Sequence, residues 1–173
     1  LIAPDAHGNS DSSREKYKVR KYKNALHTEY NGLNPFEVSV ADELDKLGKR
    51  WCRNPARGDG YRIPIPELGS SSVWFYPDFL LWVNKDVWVI DPKGEHLVND
   101  AIVRKLMDLQ SVDGLQTRMR VAFMVKGKGT VTSQGQYRNE GGAGYTLIRR
   151  QSSSIKAFHF LSLGDMVRDL VNA

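Results

Sequence analysis

The stretch Phe75-Tyr-Pro-Asp-Phe-Leu-Leu-Trp-Val-Asn-Lys-Asp-Val-Trp-Val-Ile-Asp-Pro-Lys-Gly94 reads as a β-hairpin that brings two carboxylates together. Its apolar runs, residues 78–83 and 86–90, flank Asn84-Lys85, a pair suited to a two-residue turn. With that turn Val83 faces Asp86, and counting back along both strands sets Asp78 opposite Asp91. Residues directly opposite on antiparallel strands hold their Cβ atoms about 4.5–5.5 Å apart. Lys93 lies two positions beyond Asp91 and shares its face by the period-two alternation of a strand. Like charges held that close, at the end of strands apolar on both faces, destabilise the fold unless something binds them. A divalent cation is the natural candidate. Asp91-Pro92-Lys93-Gly94 also fits a type I turn, where Asp, Pro and Gly are favoured at the first, second and fourth positions.

Working outward, the spacing predicts a helix from Asn34, with Pro35 in its first turn and Gly48 just past its end. Phe36, Val40, Leu44 and Leu47 form its apolar stripe. Glu37 is its third helical position, where a carboxylate completes a cap, and it also borders the stripe. Short strands are expected at 50–53 and 61–65, with a weak strand signal at 16–22. After the hairpin, Asn99 or Asp100 can cap a helix with Ile102, Val103, Leu106 and Leu109 on one face, and residues 119–125 form a strand. Residues 126–144, rich in Gly, Lys and polar side chains, are expected as a surface excursion. Strands are expected at 144–149 and 157–161, and Ser162 with Asp165 opens a final helix as a capping box.

Composition bounds the class. With 40% hydrophobic residues, positions 14–173 suffice for one globular domain, and polar residues 1–13 read as a linker or disordered tail. The lone Cys52 excludes a disulfide framework and a zinc cluster, so a reducing cytoplasm is the expected compartment. No apolar run nears the roughly 18 residues of a membrane span, and there is no signal-peptide core. A start at Leu1 suggests a piece of a longer polypeptide. The net charge is +5, with Arg14, Lys16, Lys18, Arg20, Lys21 and Lys23 crowded together. That cluster suits a polyanion such as a nucleic-acid backbone, or is a solvated basic arm.

Pro77-Asp78 followed by Asp91-Pro92-Lys93 resembles the paired motif of the PD-(D/E)xK nuclease superfamily. The arrangement is most similar to the nuclease domain at the C-terminal end of type III restriction enzymes and related helicase-nucleases. There a helix with a Glu precedes segments like Arg53-Asn54-Pro55, Tyr61-Arg62-Ile63-Pro64 and Tyr76-Pro77-Asp78-Phe79, in this order. The likeness covers roughly residues 34–109. It implies an α/β fold with a restriction-endonuclease-like core, a central mixed β-sheet flanked by helices in α-β-β-β-α-β order.

The resemblance also implies a magnesium-dependent DNA endonuclease, for which manganese can substitute. Asp78, Asp91, the Pro92 backbone carbonyl and a contribution from Glu37 would hold the metal, and Lys93 would complete the catalytic set. Lys105, Lys126, Lys128 and Arg138 are candidate DNA contacts. Implied partners are DNA and a helicase or translocase region of the same polypeptide. Double-strand cutting needs two active sites, hence a dimer or paired complexes. The main alternative is a DNA-binding module that keeps the fold without cleaving; a docking domain in a larger assembly is another.

Other chemistries find little support. His7, His27, His96 and His159 are scattered, no nucleophile elbow is present, and Lys126-Gly-Lys-Gly129 lacks the upstream glycine of a Walker A loop. Gln110 is followed four positions later by Gly114, unlike the Gln-x-x-x-Tyr of RecB-like nucleases. Trp82 and Trp88 are expected to pack within the hairpin.

Overall fold

The computed structural model describes residues 18–55, 60–65, 73–92, 118–133, 136–152 and 154–172. Along the chain these form β1 (Arg20–Lys21), β2 (Glu29–Tyr30), α1 (Pro35–Lys46), β3 (Trp51–Arg53), β4 (Ile63–Ile65) and β5 (Val73–Phe75). There follow β6 (Phe79–Val83), β7 (Asp86–Pro92), β8 (Arg118–Val131), β9 (Tyr137–Gln151), β10 (Ser154–Phe160) and α2 (Leu163–Asn172). The protein is mixed α/β, built on a six-stranded sheet of order β10-β9-β8-β7-β6-β3. Within it β7 and β8 run parallel and every other neighbouring pair is antiparallel. β1 with β2, and β4 with β5, form two small sheets. Among the described residues no helix is long and apolar enough to cross a membrane.

The hairpin takes the expected register, with Val83 paired to Asp86 and Phe79 to Ile90. Asn84 turns the chain at φ +53°, in the left-handed region that asparagine tolerates. Lys93 and Gly94, which would complete a type I turn, lie outside the described residues, but Asp91 and Pro92 do not leave the strand. They continue β7, opposite Phe123 and Met124 of β8, and Pro92 ends the strand, where its missing N–H interrupts no ladder. The hairpin is apolar on both faces because it lies inside the sheet and both faces are covered.

Ladder partners share a face, so the coverage can be traced. Trp51, Phe79, Leu81, Trp88, Ile90, Met124, Leu147 and Arg149 point one way, by alternation along β3, β6, β7, β8 and β9. The helices lie on that side: Phe36 of α1 stacks on Tyr145 at 6.1 Å, and Arg149 pairs with Asp169 of α2 at 3.0 Å. Asp91, Val121, Phe123 and Ile148 point the other way. There Phe75 of β5 packs on Phe123 at 6.1 Å and the Tyr61 hydroxyl reaches the Met119 sulfur at 3.5 Å.

Both expected caps form. The Asn34 side chain accepts from the Phe36 and Glu37 amides, while the Glu37 carboxylate accepts from the Asn34 amide at 3.1 Å. Gly48, at φ +65°, follows the end of α1, a conformation that suits a residue without Cβ. Ser162 Oγ accepts from the Asp165 amide at 3.1 Å and opens α2.

Three expectations need correction. Residues 126–144 are not a loose excursion: β8 runs on to Val131 and returns as β9 from Tyr137, forming a two-stranded arm with irregular pairing near Lys128. Gly127, Gly129, Gly141, Gly142 and Gly144, which suggested a loop, are strand residues. A Cβ on Gly129 would collide with the Tyr137 ring, which packs over it. Trp88 is buried as expected, but Trp82 is 37% exposed, one position past the last ladder pair between β6 and β3. Of the strand signal at 16–22, residues 16 and 17 lie outside the described residues, and among residues 18–22 only the two of β1 are strand, while Tyr22 turns into the core.

Tyr22 belongs to an N-terminal clasp that hydropathy patterning does not reveal. The Asp45 carboxylate accepts the backbone N–H of Lys23 at 3.0 Å, that of Asn24 at 2.7 Å and the Trp51 indole N–H at 3.1 Å. Burial alone raises its pKa, but these donors outweigh burial and hold it below the ordinary 3.8. A depressed carboxylate pKa gives stability that is present above the unfolded-state value and lost as pH falls through the folded one. Stability should therefore drop below about pH 4, and Asp45→Asn should flatten that drop. Urea melts between pH 3 and 6 measure this, and identical pH profiles for the two proteins would refute the role.

Candidate active site

The site lies where the ladders of β3, β6 and β7 end together. β6 pairs with β7 up to Phe79–Ile90, so one further step in the same register sets Asp78 opposite Asp91. β3 pairs with β6 up to Arg53–Phe79, so the same step sets Asn54 opposite Asp78. The Asn54 amide donates to the Asp78 carbonyl at 2.8 Å, which extends the ladder to that position. Asn54, Asp78, Asp91 and Phe123 thus form a row across four strands, on the face away from the helices. Asp91 is 1% exposed, and Phe123 beside it makes an apolar wall. Asp78, between Asn54 and Asp91 in the row, is half-buried.

The chemistry of this row is that of hard oxygen donors. One further step of the register places two carboxylates at the same strand end as the carbonyl of Pro92, a donor set of the kind magnesium takes, with one or two carboxylates together with water and phosphate. Among the described residues no group of three or more His, Cys, Asp or Glu side chains gathers as a metal site. Glu37 starts α1 on the helix-bearing face, engaged in the cap of its own helix. Lys93, His96 and Lys105 lie outside the described residues, as does the helix expected after Asn99.

Neighbouring ionisable groups have other duties. Asp86, at the turn end of β7, pairs with Arg118 at 2.8 Å and Arg120 at 2.7 Å. Burial pushes the Cys52 thiol up to about 11, so Cys52 stays protonated and packs as an apolar residue.

Because β8 runs parallel to β7 and outlasts it, the arm projects from the end of the sheet that carries Asp78 and Asp91. Exposed Lys126, Lys128 and Arg138 sit on that arm. The Lys126 ammonium lies 5.1 Å from the Phe36 ring centroid, and Lys128 pairs with Glu140 at 3.2 Å with both side chains about half exposed. Of the basic N-terminal cluster, Arg14 and Lys16 fall outside the described residues, and Lys21 pairs with Glu29 at 3.3 Å.

Comparison with protein-family models, with curated proteins and with solved structures gives no match. The functional reading therefore rests on the chain's own residues. Sequence reasoning had noted Asn54 only as part of a resembling motif. Its place in the row depends on the three-residue strand β3, too short to announce a register.

Proposed function

We propose that this chain is a metal-dependent DNA endonuclease domain with a restriction-endonuclease-like core. The observation that carries the reading is the β6–β7 register, which sets Asp78 opposite a buried Asp91 at one end of the sheet. The sequence of helix, short strand, antiparallel hairpin and parallel strand supports it. By resemblance, the domain is the C-terminal nuclease part of a cytoplasmic type III-like restriction or helicase-nuclease protein, served by a translocase region and dimerising for double-strand cuts.

In this reading Asp78, Asp91 and the Pro92 carbonyl would hold a magnesium ion. When bound, the ion neutralises phosphate charge and lowers the pKa of a water. Asp78 and Asp91 then fix the direction from which water oxygen joins phosphorus as one ester P–O bond breaks. Lys93, assigned from its place in the motif, stabilises charge developing on the phosphate. The arm supplies cations to the backbone of the duplex.

The test is incubation of the chain with plasmid DNA, with and without millimolar magnesium. Metal-dependent nicking with little sequence preference is the expected result. Salt-sensitive binding without cleavage would leave a DNA-binding module, and neither binding nor cleavage would overturn the proposal.

Affinity gives a separate prediction. Log affinity should fall linearly with log salt, and replacing Lys126, Lys128 and Arg138 by alanine should reduce the slope by about 1 for each lost phosphate contact. An unchanged slope would remove the arm from the DNA interface.

A further inference from the structure

Asn54 is 4% exposed, and its side-chain amide is fully engaged. Oδ1 accepts the Tyr61 N–H at 2.7 Å, while Nδ2 donates to the Tyr61 carbonyl at 2.8 Å and to the Pro77 carbonyl at 2.8 Å. Its backbone N–H holds the Asp78 carbonyl at 2.8 Å. One residue therefore grips two successive carbonyls, those of Pro77 and Asp78, and ties them to the strand entering β4. Both donors and the acceptor of the amide have partners, so Asn54 has no donor left over for a substrate.

Asp78 sits just before the β6 ladder begins, where neighbouring pairs hold the chain less firmly than inside the sheet. The clamp makes good that deficit. It requires a very close approach of the chain at residue 60, where a Cβ on Gly60 would overlap the Pro55 carbonyl and lie 3.4 Å from Asn54 Oδ1. Such convergence is costly for a surface loop, and it anchors the entry to β4 as well as the chain at Asp78. It fits a demand for fixed geometry at Asp78.

We infer that Asn54 is a positioning residue, which holds the Asp78 carboxylate at the angle and depth needed to share a divalent cation with Asp91. The inference rests on the nuclease reading of the same site. Groups that orient ligands from behind are worth about 10–100-fold in metal affinity or activity when removed.

The experiment measures manganese binding by calorimetry, and magnesium-dependent cleavage per folded molecule, in the wild type, Asn54→Ala and Gly60→Ala. Leu170→Ala, in α2, serves as a control for lost stability. Asn54→Ala should weaken manganese binding about 10-fold or more and raise the magnesium needed for half-maximal cleavage. DNA affinity measured without metal should stay unchanged. Gly60→Ala, which pushes Tyr61 off the clamp, should move metal affinity the same way to a smaller extent and covers the case in which Asn54→Ala does not fold. Leu170→Ala should lose thermal stability and keep its metal affinity.

If the wild type cleaves and binds manganese while Asn54→Ala and Gly60→Ala bind it equally well, Asn54 is a structural residue and the inference fails alone. If the wild type neither cleaves nor binds manganese, the nuclease reading fails and takes the inference with it.

Discussion

Asp78→Ala and Asp91→Asn should each lower the proposed metal-dependent DNA cleavage by at least about 100-fold, the scale on which loss of one group that stabilises developing charge is felt. Asp78 is half-buried, so truncating it should leave the core intact. Asp91 is buried, and asparagine preserves its volume while removing one negative charge from the pair. The loss should come with a loss of metal response. Magnesium should raise the melting temperature of the wild type, by an amount that grows with the logarithm of its concentration above the dissociation constant, and should do much less for Asp91→Asn. Cleavage assays and paired thermal melts with and without metal check both halves. A variant that cuts at the wild-type rate would make these carboxylates structural.

The second large effect concerns the clasp beneath the site. Trp51 is completely buried, in edge-on contact with Tyr22 at 4.9 Å, stacked on Tyr30 at 5.6 Å and packed on Phe79 at 6.0 Å. Its indole N–H is held by Asp45, and its carbonyl takes the Leu26 amide at 2.7 Å. Trp51→Ala should cost about 3–5 kcal/mol through lost burial and the cavity left behind. For a domain of this size that lowers the melting temperature by roughly 6–20 °C. Because Trp51 begins the strand that leads to Asn54, the variant should also lose cleavage at temperatures well below its melting point. Denaturant unfolding measures the first effect, and a loss under about 1 kcal/mol would show that the N-terminal segment is only loosely joined to the sheet.

Much of the local structure could be read without coordinates because it depends on near neighbours. The hairpin register followed from Asn84-Lys85, both helix caps from Asn34 with Glu37 and Ser162 with Asp165, and the end of α1 from Gly48. The arm of β8 and β9 was misread because its glycines carry a loop signal. At Gly129 that signal is reversed by the Tyr137 ring, which packs over it from the facing strand. Trp82 was misjudged for a similar reason, since burial on one face of a strand depends on what the rest of the chain lays over it.

The sequence by itself determined that Asp78 and Asp91 belong to one hairpin and stand opposite each other, because a two-residue turn leaves one register that buries both apolar runs. It also determined the mixed α/β class through the alternation of short apolar runs with helical stripes. Only the tertiary structure decided the face on which each group acts. Glu37 caps a helix on one side of the sheet while the carboxylates occupy the other. β8 carries the basic arm past the end of β7, and Asn54 reaches back to hold the chain at Asp78. These relations depend on ladder pairings between strands far apart in sequence, and on which surfaces a fold covers. Long-range pairing is selected by the summed burial of the whole core, so no local pattern encodes it.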